Sequence, residues 1–192
     1  MDIERPKSKQ PIPAHAKRVF SGRIFDVYQW EQEMFDGTLS TFEKIKRPNT
    51  LMVIPTIGDK IIISEQEQPG HKRDLGFLGG RQNPNESPES GAKRELLEES
   101  GLSSADWELY KTFEPHAKLD WILYYFVARD CQKVQEQNLD AGEKIRTFGV
   151  NFDEFIDLIL QDNFYGTDFA LHIAQLKIRN RLDELRTLLF KK

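Results

Sequence analysis

Cysteine is nearly absent from this chain. Cys131 stands alone, so no intrachain disulfide can form, and its place just after an apolar stretch gives it no catalytic company. An excess of positive charge is also missing. The chain has 27 Lys and Arg against 31 Asp and Glu, for a formal net charge of −4, which leaves no electrostatic footprint for a nucleic acid. No apolar run reaches the roughly 18 residues that a membrane helix needs. Residues 1–16 are polar and carry Pro6, Pro11 and Pro13, unlike the hydrophobic region of a signal peptide. These absences predict a cytoplasmic protein of a reducing compartment, with neither nucleic acid nor membrane as partner. No internal repeat is visible either.

What is present suffices for one catalytic domain with a small attachment: 39% apolar residues in a chain of 192. Residues 1–16 read as a flexible arm, since their prolines oppose regular structure. Alternating patterns then give strands over Arg18–Phe20, Ile24–Phe35 and Leu39–Lys46. The last two are joined by Asp36-Gly37, a strong hairpin signal. Residues 17–48 are therefore expected to form a small antiparallel sheet ahead of a main domain over 49–192. In that domain, Leu51–Pro55 and Lys60–Ser64 pair as a hairpin through Ile57-Gly58-Asp59. Trp107–Phe113, Trp121–Ala128 and Ile145–Val150 follow as strands. A short helix is predicted over Phe152–Leu160. A longer one, Thr167–Leu189, carries apolar residues at 169, 173, 176, 182, 185 and 189.

Between these elements lies a stretch of fixed residues at fixed spacing: Gly80, Glu86, Arg94-Glu95-Leu96, Glu98-Glu99 and Gly101-Leu102. Residue frequencies of roughly 5–7% each put a chance match of the seven positions other than Leu96 and Leu102 below about 10⁻⁶. Ser87 can cap a helix with Pro88 in its first position and Glu89 near the positive end of the dipole, and Gly101 suits a left-handed residue after it. At about 100° per residue, Glu95, Glu98 and Glu99 then fall within roughly 100° of one another. Three carboxylates on one face repel unless a cation joins them. Such hard oxygen donors suit Mg²⁺ or Mn²⁺, which can hold a diphosphate, lower the pKa of water and stabilise a leaving phosphoryl oxygen. A solvated acidic face would explain neither the two glycines nor Glu86. Leu96 and Leu102 read as core.

This stretch resembles the signature box of the Nudix hydrolases, which cleave a nucleoside diphosphate linked to another group. The resemblance implies an α/β (α+β) fold, a mixed sheet between helices with the box helix on one side and the C-terminal helices on another. It also implies that Glu98 and Glu99 are the main metal ligands, completed by Glu95 and the backbone carbonyl of Gly79. Arg94 orients a glutamate, or else forms only a surface ion pair, and Glu86 sits in the outer shell near the helix N-terminus. Over roughly residues 17–177 the layout is similar to the ADP-ribose pyrophosphatase branch. The runs Val19-Phe20-Ser21-Gly22-Arg23-Ile24-Phe25-Asp26-Val27 and Glu43-Lys44-Ile45-Lys46-Arg47-Pro48 resemble the branch's strand-turn-strand segment. That segment commonly swaps between subunits, which implies a homodimer. Pro115 lies near the downstream proline associated with ADP-ribose hydrolysis.

The remaining site residues are less sharply marked. Glu143, in Gly142-Glu143-Lys144-Ile145-Arg146, resembles the loop glutamate from which related enzymes supply a catalytic base. Asp140 is the neighbouring second choice, and a solvent-exposed acidic turn is the alternative. Phe25 or Trp30 could stack on a base, or simply belong to core or dimer interface. Arg47 could contact a phosphate or sugar, and Gly80 is placed with Phe25 and Arg47 among the substrate-binding residues. His116 lies on a loop expected to face the ligand. His15, His71 and His172 have no suggestive neighbours in sequence. Two departures from the branch pattern bear on the substrate: Gln68 stands where many members have Arg, and Gly76 where they have Glu. Both point past ADP-ribose toward other nucleotide sugars. A nucleoside triphosphate or dinucleoside polyphosphate substrate, or a non-catalytic nucleotide-binding domain, are the competing readings.

Overall fold

Central strands with both faces buried organise this molecule. The computed structural model describes residues 5–191, apart from the side chains of His71 and Lys72. The first six strands are β1 (Lys17–Ser21), β2 (Asp26–Glu33), β3 (Leu39–Lys46), β4 (Thr50–Ile57), β5 (Lys60–Gln68) and β6 (His71–Gly76). There follow β7 (Leu78–Arg81), helix α1 (Pro88–Ser100), β8 (Leu102–Ser103), β9 (Asp106–Phe113), β10 (Leu119–Asp120), β11 (Leu123–Arg129) and β12 (Gln132–Lys133). The chain closes with β13 (Lys144–Val150), α2 (Phe152–Ile159), β14 (Phe164–Tyr165), α3 (Thr167–Ile178) and α4 (Leu182–Phe190).

β4 and β5 pair only at their hairpin end, Thr56 with Ile61 and Ile57 with Lys60. Beyond that they splay. β4 runs between antiparallel β7 and parallel β11, with β9 outside β11, while β5 runs between antiparallel β6 and β13. The split makes two layers of sheet with a core on either side of β4 and β11. Along β4, Leu51 and Val53 pack with Leu78, Ala92 and Leu96 under α1. Met52 and Ile54 pack with Phe155, Phe169, Ile173 and Leu185 of the other helices. Successive side chains point to opposite faces, so a continuous apolar run is what a strand covered on both sides requires. Each of these side chains contributes roughly 1.5–3 kcal/mol on burial. The mixed α+β architecture, with α1 on one side and the C-terminal helices on another, is the one expected.

β1, β2 and β3 form a small sheet, with a parallel strand, β10, added beside β3. Residues 5–16 hold no strand or helix, yet they lie against the body of the protein. Arg5 pairs with Asp120, Ser8 bonds Glu114, and the buried Lys44 ammonium donates to the carbonyl of Gln10 at 2.6 Å. Residues 1–4 of the expected arm fall outside the described residues. Among the described residues no helix is long and apolar enough to cross a membrane.

One helix becomes two. The stripe expected from Thr167 to Leu189 is broken after Ile178, where Asn180 takes φ 55°. The amides of Asn180 and Arg181 bond back to Lys177 and Leu176, at 3.2 and 2.9 Å. This is a Schellman stop, and Asn tolerates the left-handed position it needs. The periodicity survives because both helices bury their apolar faces in the same core.

Candidate active site

The box stretch folds into loop, helix and loop. Ser87 Oγ accepts the amide of Ser90 at 3.1 Å, Pro88 begins α1, and Gly101 ends it at φ 67° with its amide on Leu97 O at 2.8 Å. Two glycines ahead of the helix allow close approach. At Gly79, φ is 140° and a Cβ would lie 1.9 Å from Leu51 O, so only glycine fits. A Cβ on Gly80 would come within 2.7 Å of the Glu95 carboxylate. β7 thus lays bare backbone along the acidic face of α1.

Arg94 is the hub of that face. Its Nε and Nη2 donate to Glu86 at 2.9 and 3.1 Å, and its Nη1 donates to Glu95 at 2.8 Å and Glu98 at 2.9 Å. A fork of five donors makes this triple engagement possible. The same bonds hold the Arg94 charge firmly, its pKa being raised first by Glu86, and they keep the Glu86 carboxyl below the usual carboxylate range. Glu86 also accepts the Asn83 amide at 3.0 Å, which ties it to the loop before the helix.

Glu99 does not reach Arg94. It is 4% exposed and accepts the Gly79 amide at 2.6 Å. Burial pushes its carboxyl well up, and the charges of Glu95, Glu143 and Glu98 push the same way. Glu95 is raised too, chiefly by burial, with Arg94 opposing. Among the described residues no trio of acidic, histidine or cysteine side chains is already gathered into a closed cage. Arg94 draws Glu95 and Glu98 to itself while Glu99 turns to Gly79. The donor chemistry still fits a hard divalent cation, because the buried Glu99 makes no ion pair among the described residues, while Glu95 and Glu98 share the single charge of Arg94. Glu95, Glu98 and Glu99 could hold such an ion.

Glu143 precedes β13 in a turn that bonds its amide to Asp140 O at 2.9 Å, and its charge is felt at both Glu95 and Glu99. What brings this loop to the box helix was not legible in the sequence. Gln137 Nε2 donates to Glu99 O at 2.5 Å and to Ile145 O at 3.2 Å, and the Asn138 amide donates to Glu98 O at 2.8 Å. These bonds occupy carbonyls that the end of α1 would otherwise leave open. Polar residues in a long connection gave no signal of that role.

A groove of about 400 Å³ opens beside the glycines, and Arg47, Gln68, Gly76, Gly79, Gly80 and Tyr165 are among the residues that line it. It therefore gathers both positions that depart from the branch pattern together with two of the residues expected to bind substrate. Arg47 stacks over Trp121 at 4.4 Å and Phe25 at 5.7 Å, its Nε buried without a hydrogen-bond partner. Phe25 is 43% exposed, whereas Trp30 is buried against Phe42. Of the two candidate stacking rings only Phe25 is exposed. His116 accepts the Lys118 amide at 3.1 Å and so shapes its own turn. His172, silent in sequence, meets Tyr110 Oη at 2.6 Å across the fold, and burial lowers its pKa to about 4. It is a satisfied packing histidine. Cys131 is buried with its thiol pushed up to about 12 by burial, the environment of a structural thiol and not of an activated nucleophile.

Comparison with known proteins gives the family. The NUDIX domain model matches residues 46–167, and the chain belongs to the Nudix family. It is similar to an ADP-ribose pyrophosphatase of Bacillus subtilis (strain 168), 25% identical over 92% of this chain and 97% of that one. It also resembles a methanol dehydrogenase activator of Bacillus methanolicus, 26% identical over 86% and 92% of the two chains. A crystal structure of an ADP compounds hydrolase shares the fold, with a TM-score of 0.69 over 92% of this chain and all of the other, at 22% identity. The protein is a Nudix pyrophosphohydrolase, related to the ADP-ribose pyrophosphatases.

Proposed function

We propose that this chain acts in the cytoplasm on ADP-ribose or a related nucleoside diphosphate sugar. Water attacks phosphorus, and the diphosphate bond breaks to give a nucleoside monophosphate and a sugar phosphate. The observation that carries the reading is the Arg94 hub, which aligns Glu86, Glu95 and Glu98 around the buried Glu99 beside a glycine-lined groove. Glu98, Glu99 and Glu95, with the Gly79 carbonyl, would hold Mg²⁺ or Mn²⁺. When bound, the ion neutralises the carboxylates and the diphosphate and acidifies water. Gly80 leaves room for the diphosphate, Arg47 faces its charge, and Phe25 stacks on the base. Glu143 takes the proton from the attacking water. Its charge reaches Glu95 and Glu99, which supports placing it at the reacting centre.

The reading extends to a homodimer. β1 is exposed along its whole length, and Val19, Phe20 and Ile24 leave large apolar side chains in the open. A partner's copy of this sheet, swapped or side by side, covers such a patch.

A substrate panel in Mg²⁺ and in Mn²⁺ tests the activity. It comprises ADP-ribose, other nucleotide sugars, dinucleoside polyphosphates and nucleoside triphosphates, with Glu98→Gln as control. Glu98-dependent release of a nucleoside monophosphate and a sugar phosphate is the expected result. Release of inorganic phosphate or pyrophosphate from triphosphates alone overturns the substrate class. For the base, Glu143→Gln should lower kcat about 10²-fold or more. A loss under about tenfold removes Glu143 from the proton transfer.

A further inference from the structure

A second cavity, of about 320 Å³, adjoins the groove beside the box, sharing Met52, Asp74 and Tyr165 with it. Among the residues that line it is Tyr125, which is 0% exposed and whose hydroxyl has no hydrogen-bond partner. An orphaned buried hydroxyl is costly, and native structures rarely keep one without a purpose. The rest of the wall offers complementary chemistry. Gly166 starts α3 at φ 134° with no side chain capping it, so the first turn of that helix presents amides at the cavity rim. A Cβ on Gly166 would lie 3.5 Å from Tyr125 Oη, which places the hydroxyl and the helix start side by side. Asp162 and Asp168 supply carboxylates, while Trp121 and Tyr165 supply rings. Phosphate is a poor match here, because the aspartates repel it. A neutral polyol suits the site, since each of its hydroxyls both donates and accepts and its C–H faces pack on aromatic rings.

We propose that this cavity receives the sugar of the sugar phosphate half of the substrate, with Tyr125 Oη donating to a sugar hydroxyl and Asp168 accepting from another. The assignment rests on the nucleoside diphosphate sugar reading above and adds the subsite that selects an uncharged sugar. Tyr125→Phe and Asp168→Asn test it. Inhibition constants for ribose 5-phosphate and for AMP are measured against whichever nucleotide sugar the wild-type chain hydrolyses fastest.

Both variants should weaken ribose 5-phosphate about three- to tenfold, the effect of one lost hydrogen bond, and leave AMP unchanged. Tyr125→Phe should also keep or raise the wild-type Tm, because the hydroxyl it removes makes no bond within the protein and its burial is costly. A drop in Tm with unchanged inhibition constants means that the hydroxyl is structural and overturns the subsite. Equal weakening of both inhibitors overturns it as well. If the wild-type chain hydrolyses no nucleotide sugar, the proposed function fails and the subsite with it. If it does hydrolyse one and ribose 5-phosphate binds both variants as before, the subsite alone fails.

Discussion

Glu99→Gln is expected to make the metal-free protein more stable and the enzyme nearly inactive. Both effects come from one carboxylate, 4% exposed and held by the Gly79 amide at 2.6 Å. A glutamine oxygen can accept the same amide, so the local structure is kept while the charge goes. Burial holds the folded pKa of Glu99 well above the ordinary glutamate value of 4.5, so the native state holds the proton more tightly than the unfolded chain. Stability of the wild type therefore falls as pH rises above about 4.5, until the folded group has ionised. The variant escapes that loss. Its Tm should exceed that of the wild type at neutral pH by about 2–4 °C for each kcal/mol recovered, and the gap should close toward pH 4.5. At the proposed metal site Mg²⁺ should reverse the order, because a carboxylate holds a hard cation far more strongly than the neutral amide oxygen that replaces it. Turnover should fall on the order of 10³-fold. A variant that keeps a tenth of wild-type kcat, or gains as much Tm from Mg²⁺ as the wild type does, removes Glu99 from the proposed metal centre.

The box could be read from sequence because its logic is local. A capped helix with carboxylates at 95, 98 and 99 needs only the helical period to place them on one face, and Gly101 marks the stop. The central strands were legible for a similar reason: apolar runs bounded by turns survive whatever packs on them. β7 escaped detection. Leu78-Gly79-Gly80-Arg81 has poor strand propensity, and it is held in place by β4 and by the need for glycine against Leu51 and Glu95. The stop at Asn180 was hidden by an apolar stripe that two successive helices share. Contacts between distant segments left no trace at all. His172 with Tyr110, Gln137 with the end of α1, and the unpartnered Tyr125 hydroxyl each depend on residues far apart in the chain.

Arg94→Ala should be the most disruptive single change on the box helix, and Arg94→Lys should be little better. Arg94 joins Glu86, before the helix, to Glu95 and Glu98 on it, with all four distances between 2.8 and 3.1 Å. Lysine carries the same charge on a single nitrogen and cannot span three carboxylates lying in different directions. Removing the guanidinium frees Glu86 from its bidentate contact and leaves Glu95, already raised by burial, without its chief opposing cation. With the Arg94 side chain 28% exposed, water offsets part of the cost, and the alanine variant should lose about 2–3 kcal/mol of stability. Activity should fall further, by about 10³-fold for alanine and about 10²-fold for lysine, because misplacing ligands by even about 1 Å costs about 10²-fold. Mg²⁺ separates the two roles of the arginine. By neutralising Glu95 and Glu98 it should return much of the lost Tm to either variant, yet kcat should stay low, since Glu86 and the loop before the helix remain untethered. Recovery of kcat together with Tm in Arg94→Lys at saturating Mg²⁺ would show that Arg94 contributes only its charge and that its fork geometry plays no part in catalysis.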